Sequence, residues 1–281
     1  MTDFWARYIE PSGQPGPDYW NYFAKRLADL ATIPEGAAVL DIGTYDGNVL
    51  FKAMKKAGAC GFGVGIDIYD GGLQDGLTEL RYHRPGNVVF AQMDAASLGF
   101  LPETFHSVLA NFIGWDHCFD FDRMEFTAPD RRMAEIMRVL KPGGQVGIGF
   151  WIKQCDIDWI AEAFKRHLPE YVKVTGKSIS SYEKENPEGY EVVLRSSGFH
   201  NISVHVETTT FVSPDAATWW RQMKHAAREY FEQVPDPDKL EHFKEQVLAD
   251  LQQSRSPEGI HFSKTVSFTF GTKFRRKAII L

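Results

Sequence analysis

Cysteine is scarce in this sequence. The chain has 281 residues and three cysteines, Cys60, Cys118 and Cys155, which lie far apart and form no CxxC pair or other metal-ligand spacing. An odd and sparse count favours free thiols in a reducing compartment over a disulfide framework. The sequence therefore indicates neither a zinc-binding module nor a small disulfide-stabilised secreted domain.

Long apolar runs are also missing. No stretch approaches the roughly 18 apolar residues that a membrane-spanning helix requires. The first residues, Met-Thr-Asp-Phe-Trp, include neither the basic cluster nor the apolar segment of a signal peptide. We therefore expect a cytoplasmic protein without a membrane span.

The sequence also has no excess of positive charge. Lysine and arginine number 31 against 37 aspartates and glutamates, which gives a formal net charge of -6. A protein with this balance has no global attraction to a polyanion. The basic run of Lys273, Arg275, Arg276 and Lys277 is typical of a solvated strand. We expect no nucleic-acid partner.

What the sequence does contain is a regular alternation of strand and helix patterns. Apolar runs predict strands at residues 39–42, 63–68, 88–92, 107–112 and 145–151. Helix patterns lie at 48–57 and 130–140, and the second is followed by the stop signal Lys141-Pro142-Gly143-Gly144. Such alternation predicts a mainly parallel sheet with helices on both faces.

The pattern changes after residue 151. We predict, in order, helices near 158–167 and 187–197, a strand at 202–211, helices at 216–231 and 238–252, and a final strand or hairpin around 266–274. A further helix begins near Pro17 and carries an apolar stripe. The two late helices therefore indicate an insertion between the last strands.

The expected organisation follows from these elements. It comprises an N-terminal arm and helix that contribute to the site, 1–34, a core made of 35–212 and 262–281, and an inserted helical cap, 213–261.

The most informative stretch is Asp41–Gly47, where a predicted strand ends in an acid and passes through small residues into a helix. Glycines in such a turn let a nucleotide approach the backbone. The dinucleotide template Gly-x-Gly-x-x-Gly starts at Gly43 but meets Tyr45 and Asn48 in place of its second and third glycines. The template acid-x-Gly-x-Gly-x-Gly fails only at Tyr45, and it therefore fits better.

Three further segments complete a pattern of four. They are Gly65-Ile66-Asp67-Ile68, Gln92-Met93-Asp94-Ala95 and Arg138-Val139-Leu140-Lys141-Pro142-Gly143-Gly144. With Asp41–Gly47, and in this order, they resemble the motifs of class I S-adenosylmethionine-dependent methyltransferases over residues 35–151. Beyond residue 151 the chain resembles the small-molecule branch that includes quinone-ring methyltransferases, through Ser197-Gly198-Phe199 and Phe211-Val212-Ser213-Pro214-Asp215.

This resemblance implies a fold and a cofactor. The fold is α/β and Rossmann-like, with a seven-stranded, mainly parallel sheet, helices on both faces and a helical cap inserted before the last strand. The cofactor is S-adenosylmethionine, which leaves as S-adenosylhomocysteine; Asp67 would hold its ribose and Asp94 its adenine amino group. The cofactor-binding residues implied are Asp41, Gly43, Thr44, Tyr45, Gly47, Asp67, Ile68, Asp94, Ala95, Asn111 and Phe112.

The methyl acceptor is expected to be a small, apolar or aromatic molecule, because the sequence has a surplus of aromatic residues outside the obvious core strands. In-line displacement at the sulfonium carbon needs alignment and exclusion of water, and a base only if the acceptor must lose a proton. The candidate substrate-pocket residues are Trp5, Tyr8, Trp20, Trp115, Trp151, Trp219, Trp220 and Met223.

The candidate base is His117, with Asp116 as a weaker one, because both follow the fourth strand, where the acceptor of this family lies. The competing interpretation is that His117 only packs against or caps the following loop. The sequence shows no zinc- or other metal-ligand cluster that would suggest metal chemistry.

Other functions fit the sequence less well. A methyltransferase-like protein that has lost catalysis and serves as a binding or regulatory subunit stays open, because Tyr45 departs from the motif and no clear acid–base pair is present. An NAD-dependent oxidoreductase is disfavoured by Tyr45 and Asn48. Asn111-Phe112-Ile113-Gly114 lacks the two prolines of the adenine-methylase motif, which excludes that interpretation.

Overall fold

Strands and helices alternate along the part of the chain that the computed structural model describes, residues 18–83, 86–172 and 185–274. In chain order the elements are α1 (Tyr19–Leu30), β1 (Ala38–Ile42), α2 (Asn48–Ala57), β2 (Phe62–Asp67), α3 (Asp70–His83), β3 (Val88–Gln92), β4 (Phe105–Asn111), β5 (Phe119–Asp120), β6 (Glu125–Phe126), α4 (Arg131–Val139), β7 (Leu140–Gln154), α5 (Cys155–His167), α6 (Pro169–Val172), α7 (Pro187–Ser196), β8 (His200–Ser213), α8 (Ala216–Ala226), α9 (Arg228–Phe231), α10 (Pro237–Gln253) and β9 (Ile260–Thr272).

Seven strands form one sheet in the order β3-β2-β1-β4-β7-β9-β8. The first five of these pair in parallel, and β9 runs antiparallel to both of its neighbours. The chain order reverses between β1 and β4, and open α/β sheets bind ligands outside the carboxyl ends of the strands at such a point. The predicted fold class is confirmed.

Both faces of the parallel strands are buried, because successive side chains of a strand point to opposite faces. On β1, Leu40 and Ile42 join the core that α4 and α7 cover. Val39 points the other way and joins the core that α1 and α2 cover. The continuous apolar runs in the sequence reflect this burial on two sides.

The helices between β8 and β9 form a third cluster together with α5. Phe164 of α5 packs against Phe243 of α10 with ring centroids 4.3 Å apart, and Trp220 of α8 contacts the same Phe243 ring. We expected one helix from 216 to 231, but α8 ends at Ala226 and the short α9 begins at Arg228. The break turns Tyr230 and Phe231 onto Phe164.

One helix, α3, was not predicted from the sequence. Its first turns contain Gly71, Gly72 and Gly76, and glycine is a weak helix former. The fold explains two of them, because a Cβ on Gly72 would lie 2.3 Å from the Tyr45 ring and a Cβ on Gly76 would lie 2.8 Å from the Phe90 ring. Close packing on the neighbouring loop and strand therefore takes precedence over local helix propensity.

Two other boundaries differ from the prediction. Strand β7 extends beyond 145–151 at both ends, since it begins at Leu140 and reaches Gln154. The predicted helix stop is confirmed, because α4 ends at Val139 and Gly143 takes a left-handed φ of 81°. Among the described residues, no helix is long and apolar enough to cross a membrane.

We predict that Phe243→Ala lowers the free energy of unfolding by about 3 to 5 kcal/mol, because it deletes a fully buried ring of α10 that packs against α5 and α8. Chemical denaturation followed by circular dichroism measures this loss. His242→Ala on the same helix is the control, because that side chain is 70% exposed and should change stability little. A loss below 1 kcal/mol, roughly what a surface change produces, would show that the cap core is not packed as described.

Candidate functional site

The loop after β1 takes a conformation that needs glycine at two positions. Gly43 and Gly47 have φ angles of 69° and 90°, in the left-handed region that side chains disfavour. A Cβ on Gly43 would lie 2.2 Å from Ile113 Cγ2, and one on Gly47 would lie 2.5 Å from the Phe90 ring. The loop after β4 therefore crosses directly over Gly43, and Gly47 opens helix α2.

Tyr45 stands where the matching template has a glycine, and it keeps a glycine-like backbone with a φ of 48°. Its ring is about half exposed and packs over Gly72 of α3. Its backbone N–H donates to Asp67 Oδ2 at 3.0 Å. Tyr45 therefore keeps a left-handed backbone of the kind that glycine adopts most readily.

Asp41 is a buried carboxylic acid that holds this loop and the next helix together. Its Oδ2 accepts from Thr44 Oγ1 at 2.7 Å and from the backbone N–H of Leu50 at 3.1 Å. Its Oδ1 is buried and has no hydrogen-bond partner among the described residues. Burial raises the pKa of Asp41 to about 7, although the bonds from Thr44 and Leu50 oppose that rise.

Two further predicted acids lie at the ends of the next strands. Asp67 accepts from the backbone N–H groups of Tyr45 and Tyr69 through its two oxygens. Asp94 follows β3, is exposed, and accepts from Ala96 N at 2.8 Å. Each carboxylate oxygen has a second lone pair for a ligand hydroxyl or amine.

The predicted neighbours of these acids differ in exposure. Ile68 is exposed beside Asp67, whereas Ala95 is partly buried and packs on the main core. Thr44 is buried and bonded to Asp41. Of these three, Ile68 offers the largest free surface to a ligand at this edge.

Asn111 ends β4 next to the loop after β1. Its side-chain Oδ1 is buried and has no partner in the part of the chain that the structure describes. A Cβ on Gly149 of β7 would lie 2.1 Å from this oxygen, so the glycine makes room for the amide. Asp41 pairs with Leu109, two residues before Asn111, so Asp41 and Asn111 point to the same face of adjacent strands.

Three aromatic side chains form what we call the aromatic wall, Trp20, Phe112 and Trp151. Phe112 and Trp151 stack with centroids 4.0 Å apart and planes 6° from parallel. Trp20 of α1 meets both rings edge-on, at 5.5 and 5.6 Å, and keeps 38% of its surface exposed. The wall therefore stands at the ends of β4 and β7, beside Asn111, with one member open to solvent.

Trp115 has a different environment. It is fully buried, its backbone N–H donates to Glu185 Oε1 at 2.5 Å, and its indole N–H donates to Asp130 Oδ2 at 2.7 Å. The Arg132 guanidinium lies 4.3 Å from the ring centroid. Trp115 therefore belongs to the core under α4, on the face away from the aromatic wall.

His117 and Asp116 lie in the exposed part of this loop. The Nδ1 atom of His117 is 2.6 Å from Arg132 Nη2. A guanidinium can only donate, so Nδ1 accepts and the neutral ring carries its proton on Nε2. Burial and the adjacent Arg132 charge lower the pKa of His117. The ring thus presents an N–H at its free nitrogen, and the catalytic roles of His117 and Asp116 stay predictions.

The remaining candidates lie in the cap or outside the described residues. Trp219 stacks on Phe262 at 5.4 Å, and Trp220 and Met223 are buried among the cap helices. Trp5 and Tyr8 fall in the segment 1–17, outside the described residues. The structure therefore brings Trp20 and Trp151 together with Phe112 and keeps Trp219, Trp220 and Met223 within a separate core.

Sequence reasoning missed several charged residues near the site. Lys264 is buried on β9 and pairs with Asp156, and Arg132 and Glu185 brace the loop after β4. One signal was available for Lys264. It falls in phase with Val266, Phe268 and Phe270, so it shares their inward face despite its charge.

The fold and site together define an α/β nucleoside-binding enzyme of the methyltransferase class. A methyltransferase-domain family model matches residues 33–220, more than half of the chain. The chain belongs to this methyltransferase family. The predictions of a class I methyltransferase, of an enzyme of this class and of S-adenosylmethionine as cofactor are confirmed.

Three curated relatives illustrate the similarity. Nocamycin O-methyltransferase of Saccharothrix syringae is 24% identical over 91% of this chain and 92% of that protein. The ubiquinone/menaquinone biosynthesis C-methyltransferase UbiE of Cronobacter sakazakii is 25% identical over 66% of this chain and 75% of that protein. Aklanonic acid methyltransferase DauC of a Streptomyces species is 32% identical over 34% of this chain, which spans only 44% of that relative.

Solved structures share the fold. The YcgJ protein of Bacillus subtilis superimposes with a TM-score of 0.55 at 14% identity, covering 90% of this chain and 99% of that one. Phosphoethanolamine N-methyltransferase 2 of Haemonchus contortus, solved with S-adenosylhomocysteine, superimposes with a TM-score of 0.53 at 20% identity, covering 92% of this chain and 54% of that one. At these identities the likeness shows a common fold.

The pKa of Asp41 predicts a specific dependence of stability on pH. A carboxyl group whose folded-state pKa is about 7, against an ordinary value of 3.8, binds more protons in the folded than in the unfolded state between these pH values. Its stabilising contribution is therefore complete below the lower value and is lost as pH rises through the higher one.

Asp41→Asn should remove this dependence. Relative to Asp41→Asn, wild type should lose a few kcal/mol of unfolding free energy between acid and mildly alkaline pH, at about 1.4 kcal/mol for each unit of pKa difference. Denaturation curves of both proteins across that range measure the difference. Parallel pH profiles would show that the carboxyl is not buried as described.

Proposed function

We propose that this methyltransferase transfers a methyl group from S-adenosylmethionine to a small apolar or aromatic metabolite that lies on the aromatic wall. The observation that carries the proposal is the position of the wall. The wall stands next to Asn111 and the loop after β1, where two buried acceptor oxygens lack partners among the described residues.

The strand ends suit the chemical groups of the cofactor. Asp67 would accept from the ribose hydroxyls and Asp94 from the adenine amino group. Asp41 Oδ1 and Asn111 Oδ1 are buried acceptors without partners among the described residues, and each unmade hydrogen bond costs about 1 to 3 kcal/mol. The ammonium group of the cofactor has three N–H donors that could satisfy them. The residues present therefore fit this cofactor.

The bound cofactor supplies an electrophilic methyl on a positively charged sulfur. The leaving thioether is neutral, so no acid is needed, and the work of the protein is alignment and exclusion of water. The faces of Trp20 and Trp151 favour a nearby cation and an apolar acceptor alike. Helix α1 covers the wall from one side, and the inserted cap would complete its enclosure.

The named activities of the relatives support a small acceptor. One is an O-methyltransferase of nocamycin, one a C-methyltransferase of ubiquinone and menaquinone biosynthesis, and one acts on aklanonic acid. Carbon and oxygen methylation both occur among these relatives. Membership of the family therefore does not determine which atom of the acceptor is methylated.

Isothermal titration with S-adenosylmethionine tests the cofactor half of the proposal. We expect a dissociation constant well below millimolar, and weaker binding would end the proposal. Transfer of label from methyl-labelled cofactor into a metabolite extract tests the catalytic half. Tight cofactor binding without any transfer would instead favour the inactive binding or regulatory protein.

We predict that Asp67→Ala weakens cofactor binding by about 1 to 3 kcal/mol, because it removes charge-assisted bonds to the ribose and the bond that positions Tyr45 N. Calorimetric titration of the variant measures this loss. Asp70→Ala, at the exposed start of α3, is the matched control and should bind as wild type does. Unchanged affinity of Asp67→Ala would mean that the ribose lies elsewhere.

His117 is the candidate base, and that role has a direct test: if the imidazole takes a proton from the acceptor, His117→Ala lowers turnover while the affinity for S-adenosylmethionine stays near that of wild type. The imidazole lies after β4 and is held by Arg132, away from the acids proposed to bind the nucleoside. Steady-state kinetics and calorimetry on the same preparation separate the two quantities. If neither changes, His117 only packs in its loop.

A further inference from the structure

A buried ion pair lies next to the aromatic wall, and the site described so far leaves it unused. The Lys264 ammonium, 1% exposed, donates to Asp156 Oδ1 at 2.6 Å and to Gln154 Oε1 at 3.1 Å. Lys264 belongs to β9, and its register partner Gln154 ends β7, three residues beyond Trp151. The pair therefore lies at the carboxyl end of β7, the edge where the wall stands.

Two aromatic rings lie next to this ammonium. Its Nζ lies 4.2 Å from the ring centroid of Tyr19 and 5.3 Å from that of Trp151. Tyr19 in turn contacts Trp20 and Trp151 with centroids 5.2 and 5.9 Å apart. Lys264 and Tyr19 are thus continuous with two of the three members of the aromatic wall.

The Tyr19 hydroxyl is the second unexplained group. It is buried and finds no hydrogen-bond partner within the described residues. Burial raises the pKa of Tyr19 and the charge of Asp156 raises it further, while the neighbouring Trp20 side chain opposes the rise, so the phenol stays a neutral donor. A buried hydroxyl without a partner is costly, and an acceptor atom from a ligand would remove that cost.

A buried ion pair is weak evidence for a purely stabilising role. Burying two charges costs several kcal/mol per ion before their attraction is counted, and apolar replacements of such pairs are often equally stable. The titratable or charged groups that face Lys264 are Asp156, Tyr19, Cys155 and Asp158. This corner therefore holds one ammonium and one buried hydroxyl, without a hydrogen-bond partner among the described residues, beside an apolar wall.

We propose that Lys264 and Tyr19 form the oxygen-binding site for the methyl acceptor, and that the acceptor is an aromatic molecule with an acidic hydroxyl, a phenol. The ring of the phenol lies on the aromatic wall, and its oxygen accepts from the Tyr19 hydroxyl and the Lys264 ammonium. This inference rests on the proposed function, since it names the substrate class of the same site.

Such a site removes the need for a protein base, so with a phenol as acceptor His117→Ala should leave turnover unchanged. The contact between Arg132 and Nδ1 of His117 agrees with that expectation. The phenol loses its O–H proton to solvent and is held as the anion. A new bond then forms between methyl carbon and acceptor, the carbon–sulfur bond breaks, and its electron pair stays on sulfur. Sulfonium and phenolate become a neutral thioether and a neutral methylated product, with one proton released.

The test uses para-nitrophenol, whose anion absorbs in the visible, with the full chain saturated by S-adenosylhomocysteine. At a pH where the free probe is mostly protonated, wild type should bind it as the anion. Lys264→Met with Asp156→Leu should weaken that binding about 10- to 100-fold, the range for a lost hydrogen bond to a charged group. Tyr19→Phe should also weaken it.

Three controls make the result specific. The double replacement leaves no unpaired buried charge, so it should fold, and circular dichroism checks this. Lys165→Met removes a lysine of an exposed ion pair with Glu162 and should bind as wild type does. Para-nitroanisole has the same ring without an ionisable oxygen, so the double variant should bind it with unchanged affinity.

The outcomes separate this inference from the proposed function. Loss of nitrophenolate binding in the double variant, with intact affinity for S-adenosylhomocysteine, supports the oxygen site. Equal binding by wild type and the double variant, binding of the neutral probe, or no binding overturns it, while calorimetric binding of the cofactor leaves the proposed function standing. Failure to bind S-adenosylhomocysteine at all would overturn the proposed function itself.

Discussion

The rest of the site depends on the buried carboxyl of Asp41. Through one oxygen it accepts from Thr44 in the loop and from Leu50 in the first turn of α2, so strand, loop and helix are joined at a single side chain. In the same loop, the backbone N–H of Tyr45 donates a hydrogen bond to Asp67 on the next strand. The loop also holds Gly43 where Ile113, from the loop after β4, crosses it in close contact. A local hydrogen bond at the switch point of the sheet thereby sets the spacing between the loops that border the site.

The site has two halves that differ in the polarity of their side chains. The half over β1, β2 and β3 is polar, with carboxylates and exposed backbone, as a nucleoside requires. The half over β4, β7 and β9 is aromatic and is backed by a buried ion pair. The two halves meet at Asn111 and Phe112, where Phe112 holds a left-handed φ of 60° and stacks on Trp151. Strain of this kind persists only when surrounding packing compensates for it, and it is common at functional sites.

Much of the fold could be predicted from the sequence because local rules and the tertiary structure agree there. The apolar runs of β1 and β2, the helix starting at Asn48 and the stop after Val139 follow from period, capping and breaker residues. Helix α3 could not be predicted, because two of its glycines make room for the rings of Tyr45 and Phe90, which belong to other segments of the chain. Trp115, Trp219 and Trp220 were predicted to line the substrate pocket, yet composition does not reveal which way a ring points. The ion pair of Lys264 and Asp156 joins residues 108 positions apart, beyond the reach of any local pattern.

The sequence by itself determined the class of protein, the order of its elements and the acids that end its strands. Each of these features depends on a short segment of sequence. Examples are glycines in a tight turn, a carboxylate after an apolar run and an alternating apolar strand. Only the tertiary structure decided which aromatic side chains share a surface, which acceptors are left without partners, and that His117 faces Arg132. The physical reason is that the burial and the hydrogen-bond pairing of a side chain depend on its neighbours from distant segments. Those neighbours are set only when the helices and strands pack together.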